Sequence, residues 1–177
     1  MQELKNRKSP RNQIVDYNSV GVYFITICTQ NRECLLSQIV GTGVLDCPQP
    51  RLTAYGEVVD KYINQLSDFY DELSVESYVI MPNHIHLLLW IKENRCSIPG
   101  GQSGTPVPTN IERSNSTCSR FVSTLKRFCN KEYGKSIWQP WFYDHIIRCQ
   151  EDYDQHAKYI RENPLNWYYD DLYVKKQ

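Results

Sequence analysis

The sequence has no apolar run close to the roughly 18 residues that a membrane-spanning helix requires. Its opening residues, Met1-Gln2-Glu3-Leu4-Lys5-Asn6-Arg7-Lys8, lack the apolar core of a secretory signal. No membrane partner is expected, and the chain reads as cytoplasmic. Net charge is missing as well, since 20 Lys and Arg balance 20 Asp and Glu. Overall electrostatics therefore argue neither for nor against a polyanionic partner. Paired cysteines are also lacking. Cys28, Cys34, Cys47, Cys96, Cys118, Cys129 and Cys149 are odd in number and none forms C-x-x-C, which disfavours a zinc knuckle or a disulfide framework and points to reduced thiols. No internal repeat is visible.

What is present is one domain's worth of chain. The 177 residues, 41% hydrophobic and 23% charged, can bury a self-sufficient core, so wholesale disorder is disfavoured and a second full domain is not expected. The charge is segregated. Lys5, Arg7, Lys8 and Arg11 form a basic arm over residues 1–15, and Arg113, Arg120, Lys126, Arg127, Lys131 and Lys135 form a second cluster. Glu57, Asp60, Asp68, Asp71, Glu72 and Glu76 supply acids elsewhere. Such a distribution permits a local phosphate footprint, although solvated helix faces give the same pattern. Residues 16–177 read as the domain itself, interrupted by a Gly/Pro/Ser/Thr-rich stretch at 97–109 that is expected to be a flexible surface loop.

Element patterns are legible. Val20 to Thr29 alternates around β-branched and aromatic residues and is expected to be a strand, with a small hairpin from Gln38 to Leu45 around Gly41-Thr42-Gly43. Leu52 to Tyr70 keeps a helical period through Tyr55, Val58, Val59, Ile63 and Leu66. Val75 to Ile80 and Ile85 to Ile91 are β-rich runs joined by Met81-Pro82-Asn83-His84, an antiparallel pair by the shortness of the connection. A helix from Ile111 to Tyr133 stops at Gly134, a strand follows at Phe142 to Arg148, and a last helix spans Glu151 to Glu162, with acids in its first turn and Pro164 beyond it. This order predicts an α+β fold: a ferredoxin-like antiparallel sheet with helices packed mainly on one face.

Chemistry concentrates in two distant segments. On a strand, residues i and i+2 share a face, so His84 and His86 can offer two imidazoles to one cation while Ile85 points away. Two nitrogens leave most of a coordination sphere for oxygen ligands and water, as phosphate chemistry needs. Alone, H-x-H fits two polar residues on a half-exposed strand equally well. In the last helix, Tyr159 and Asn163 lie only about 40° apart at 100° per residue. Tyr153, Ala157 and Ile160 define the neighbouring apolar face that should sit on the sheet. Asn163 could supply a third, oxygen ligand, and Tyr159 could reach a phosphate held by the same ion. An ordinary amphipathic tyrosine is the plain alternative in a chain with 13 of them.

Four blocks resemble a known family. Y-V-I-M-P-N-H-I-H-L-L-L (Tyr78 to Leu89), W-Q-P-W-F-Y-D-H-I-I-R (Trp138 to Arg148), Y-I-R-E-N-P (Tyr159 to Pro164) and the opening D-Y-N-S-V-G-V-Y-F-I-T-I-C-T-Q-N-R (Asp16 to Arg32) look like the signatures of the REP-associated tyrosine transposases. These belong to the single-tyrosine HUH superfamily, named for histidine, hydrophobe, histidine. The resemblance runs from about Asp16 to Trp167. It implies the ferredoxin-like HUH fold, Tyr159 as nucleophile, and His84, His86 and Asn163 holding Mg²⁺ or Mn²⁺. Asp144, His145 and Arg148 are expected either to support the site or DNA, or to be structural.

A free phenol, with a pKa near 10, is about one part in a thousand ionised at pH 7, so Tyr159 needs activation to attack phosphorus. Attack also needs an unstacked strand, which makes single-stranded DNA beside a hairpin the expected substrate, cleaved and rejoined through a 5′-phosphotyrosine. Lys126, Arg127, Arg148 and the N-terminal arm are the candidate phosphate contacts, with Tyr and Trp side chains as base-stacking partners. The alternative is a single-stranded nucleic-acid-binding module on the same fold whose transposase activity is lost or serves a housekeeping role. Sequence leaves open a monomer or a homodimer, and with it whether Tyr159 serves its own subunit.

Overall fold

Alternation in Gly21–Cys28 (β1) has an unusual consequence: both of its faces are covered. Tyr23, Ile25 and Ile27 point into one core, while Phe24 points into a second on the other side. The computed structural model describes residues 20–41, 48–92 and 116–174. Around β1 lie His84–Ile91 (β5) and Tyr143–Ile147 (β6), and outside β5 lies Leu73–Ile80 (β4). The sheet order is β4-β5-β1-β6 with every neighbour antiparallel, the expected ferredoxin-like arrangement. Ser37–Val40 (β2) and Gln49–Leu52 (β3) form a separate two-stranded ribbon.

Helices Ala54–Phe69 (α1) and Thr117–Tyr133 (α2) bury Val59, Ile63, Leu66, Phe121, Val122 and Leu125 against Tyr23, Ile25, Ile85, Leu87 and Leu89. Each such side chain contributes about 1.5–3 kcal/mol by leaving water. Thr53 caps α1 by accepting from the Gly56 N–H at 3.3 Å. Gly56 admits no side chain, because a Cβ there would lie 2.1 Å from the Leu36 carbonyl oxygen. Gly134 ends α2 at φ 68°, where a side chain would be strained.

The third helix, Gln150–Glu162 (α3), packs on the opposite face of the sheet. Its Tyr153, Ala157 and Ile160 meet Phe24, Val79 and Leu88, joined by Met81 and Trp167. Helices thus lie two on one face and one on the other, and the β5 residues on the α3 side are His84, His86 and Leu88.

Two expectations shift. The hairpin placed at Gln38 to Leu45 instead pairs β2 with β3, Ser37 opposite Leu52, because the extended run that leads into the Thr53 cap returns on β2. Residues 42–47 lie outside the described residues, as do the basic arm at 1–15 and the loop at 97–109. The second helix begins at Thr117 behind its Ser116 cap rather than at Ile111, and 111–115 are likewise not described. Among the described residues no helix is long and apolar enough to cross a membrane.

Candidate active site

The turn before β5 positions His84 and His86. Met81 donates to the His84 carbonyl at 2.9 Å, and the Asn83 carbonyl accepts from the Thr29 N–H (2.9 Å) and hydroxyl (3.0 Å), so the turn is stapled to the end of β1. Asn83 is fully buried. Its amide donates to the carbonyls of Leu172 (2.8 Å) and Arg32 (3.3 Å), which leaves Oδ1 to face His84 Nδ1 at 2.8 Å. That acceptor requires the proton on Nδ1, and His84 Nε2 is left as a bare lone pair.

His86 follows two residues on, its Nδ1 2.9 Å from the Thr26 hydroxyl. The two rings are 4.4 Å apart. Both are buried, and burial pulls the His84 imidazole down to about 3 and His86 well below its ordinary value, so both are neutral at pH 7. Neutral imidazole is the form that binds cations.

From the far side α3 delivers Asn163, one turn after Tyr159. The Asn163 amide is 1% exposed, and its Nδ2 donates to Asp170 Oδ2 at 2.7 Å. Three buried acceptors, His84 Nε2, His86 Nε2 and Asn163 Oδ1, lack any hydrogen-bond partner. Buried polar atoms in folded proteins are seldom left without an ion or water to satisfy them. A divalent cation fits such a set of two imidazole nitrogens and an amide oxygen. All of these residues, and Tyr159, belong to one chain.

Tyr159 stands at the edge of this cluster, its ring 5.1 Å from His86 and the residue 43% exposed. Its hydroxyl donates to Asp170 Oδ2 at 3.1 Å. Burial, then the Asp170 carboxylate, pushes the phenol up to about 12. Tyr153, the other tyrosine of α3 near the site, packs into the α3-side core instead. An open cleft of about 690 Å³ leads to Tyr159 and His86, walled by Phe24, Trp141, Phe142, Tyr143 and His156, with Arg32 and Asp170 at its polar end.

The chain is 32% identical to an uncharacterised protein of Haemophilus influenzae over 97% of this chain and 95% of that one. It is 28% identical, over 85% of its length and 73% of the relative's, to a candidate REP-associated tyrosine transposase of the same organism. It is 30% identical to the REP-associated tyrosine transposase of Escherichia coli, over 51% of this chain and 44% of that protein. Two of these relatives thus carry the name REP-associated tyrosine transposase, and the chain is similar to one of them over most of its length. A REP-associated tyrosine transposase solved bound to a REP hairpin has the same fold, with a TM-score of 0.60 and 21% identity over 89% of this chain and 74% of that one. No protein-family model matches the chain.

The structure brings together His84, His86, Tyr159 and Asn163, while none of the three basic candidates lines the cleft. Lys126 donates to the carbonyls of Gln139 (2.8 Å) and Trp141 (3.1 Å), bracing the cleft wall. Arg127 lies over the Phe128 ring at 5.3 Å, and Arg148 is exposed at the end of β6; neither lines the cleft. Among the described residues the Lys or Arg lining the cleft is Arg32, which the sequence reading left without a role. Arg32 sits at φ 55° directly after Asn31 at φ 52°, and its guanidinium donates to the Asp171 carbonyl at 3.3 Å.

Asp170, Asn83 and Thr26 were also missed. Asn83 lies inside the M-P-N-H-I-H block, where its neighbour's role could have drawn notice. Asp170 lies beyond the last helix in W-Y-Y-D-D, a run with no periodicity to place it. Its Oδ1 accepts from the Leu172 N–H at 2.7 Å, which turns Oδ2 toward Tyr159 and Asn163.

Proposed function

We propose that the chain is a metal-dependent transposase that cleaves and rejoins single-stranded DNA beside hairpins, with Tyr159 as nucleophile and His84, His86 and Asn163 as ligands for Mg²⁺ or Mn²⁺. The observation that carries this reading is the convergence of three unpartnered buried acceptors beside a tyrosine hydroxyl. Similarity to REP-associated tyrosine transposases supports the substrate class. A divalent cation held by His84, His86 and Asn163 would supply Lewis-acid charge withdrawal to a bound phosphate.

The chain's residues account for the rest. Tyr159 Oη forms a bond to phosphorus as the P–O3′ bond breaks, its proton passing to Asp170 Oδ2, which already accepts from it. The departing 3′ oxygen takes a proton from solvent and leaves as a hydroxyl, Asp170 later releases its own to solvent, and the 5′ phosphate stays on Tyr159. Because the phosphodiester linkage is conserved in the phosphotyrosine, a 3′ hydroxyl can reverse the step and rejoin DNA without a nucleotide cofactor. Arg32 is placed to hold phosphate charge at the polar end of the cleft, and exposed Trp141 and Tyr143 at its rim offer stacking faces to unpaired bases.

The test is a labelled hairpin with a single-stranded flank, incubated with the protein and Mn²⁺ and resolved under denaturing conditions. A covalent adduct is expected, absent in Tyr159→Phe and in chelator. DNA binding with no adduct over a broad hairpin set refutes the catalytic reading and leaves a binding module.

A further inference from the structure

We propose that His145, Asp152 and His156 form a second metal site, selective for a borderline transition cation of the Zn²⁺ type, that ties α3 to β6. The site shares no residue with the His84 cluster. His145 comes from β6, opposite Phe24 and therefore on the α3 face of the sheet, while Asp152 and His156 are one turn apart on α3. Their candidate ligand atoms all lie within 4.8 Å of one another.

The donor set is already focused. Both imidazoles address one carboxylate: His145 Nε2 is 3.0 Å from Asp152 Oδ2, and His156 Nδ1 is 3.0 Å from Asp152 Oδ1. The rings stack at 4.7 Å and 18°. Asp152 is held in place by the Arg148 N–H at 3.2 Å. Two imidazoles and one carboxylate, with room for water, are the ligands of three-residue Zn²⁺ sites. One carboxylate alone is a poor host for Mg²⁺, which prefers oxygen and keeps its waters. All three side chains are only part-buried, so a hydrated ion can enter and each ring can move its proton to the nitrogen not used.

The position gives the site a consequence. The His156 ring packs 4.6 Å from Phe24, and Phe24 in turn touches both His86 (5.1 Å) and Tyr159 (6.0 Å). A cation bridging β6 to α3 would hold the N-terminal half of the Tyr159 helix against the sheet.

The experiment is a calorimetric titration of Zn²⁺ into the full chain in excess Mg²⁺, repeated with His145→Gln, His156→Gln and Asp152→Asn. Wild type is expected to bind one equivalent more than either histidine variant, and Asp152→Asn to bind that equivalent at least tenfold more weakly. Equal stoichiometry and affinity in all four proteins overturns the site. Imidazole ¹⁵N resonances of the wild-type chain give a readout free of mutation. Zn²⁺ should shift His145 and His156, and their failure to move overturns it as well. These readouts are independent of DNA cleavage.

Discussion

Divalent cation should stabilise the folded chain, and the site's burial fixes how that stabilisation depends on pH. His84 Nε2, His86 Nε2 and Asn163 Oδ1 are buried without partners, a cost of about 1–3 kcal/mol for each such group. A ligand present at a hundredfold its Kd stabilises the native state by about 2.7 kcal/mol. For a chain of 177 residues that corresponds to a Tm rise of roughly 5–10 °C, at about 2–4 °C per kcal/mol. Exposed histidine sites lose metal below about pH 6.5 because protons compete for the nitrogen. Here burial draws His84 down to about 3 and His86 the same way, so Mn²⁺ affinity should stay nearly flat from pH 8 to about pH 5.5. Scanning fluorimetry across that range, with chelator as reversal, measures both quantities. His86→Gln and Asn163→Ala should each abolish most of the rise. A rise that survives in both, or that fades below pH 6.5 as at a surface site, refutes the assignment of these three ligands.

Further consequences follow from the same geometry. In chelator, the unfolded chain takes up a proton on His84 near pH 6.5 and the folded chain only near 3, so stability must fall as pH drops through that window, by about 1.4 kcal/mol per unit for this one residue. Urea melts at pH 7 and pH 5 should therefore differ by about 2 kcal/mol from His84 alone, and equal midpoints would contradict the buried neutral ring. Asp170→Asn should slow adduct formation by about 10²–10⁴ if its carboxylate takes the Tyr159 proton, with hairpin binding little changed; single-turnover rates decide it. Asn83→Ala removes the acceptor that fixes the His84 tautomer and should weaken Mn²⁺ binding by about 10–100-fold, whereas an unaltered affinity would show that Asn83 serves only the turn.

Much of this was legible because it was periodic. The i, i+2 spacing of His84 and His86 and the i, i+4 spacing of Tyr159 and Asn163 are each statements about one element, and each held as geometry. The apolar face Tyr153, Ala157 and Ile160 likewise found the sheet. Which face it found was harder to see. Leu87, Leu88 and Leu89 are all buried, and a run apolar on both sides does not say which helix covers which. The hairpin was misplaced for a related reason: β2 is short and its partner is not the next extended residue but the stretch ahead of the Thr53 cap. Charge was harder to read. Lys126 was one candidate phosphate contact, and its ammonium donates to three carbonyls of the cleft wall, while among the described residues the Lys or Arg lining the cleft is Arg32.

Asp170 shows why a site can depend on residues no pattern announces. The carboxylate is set by a turn after Trp167–Tyr169, and it reaches the cluster only because Trp167 is buried against the α3-side core and fixes where that turn lies. Its Oδ2 meets both the Tyr159 hydroxyl and the Asn163 amide, so it orients the proposed nucleophile and a proposed ligand together. Donating Nδ2 to Asp170 is also what turns Asn163 Oδ1 toward the two histidines. Shifting the turn should then disturb two groups at once, and Trp167→Ala tests this while leaving Tyr159, Asn163 and Asp170 unsubstituted, although it also removes the ring that packs 6.0 Å from His84. It should weaken Mn²⁺ binding and slow adduct formation together, whereas loss of one without the other would mean that Asp170 does not join the two functions.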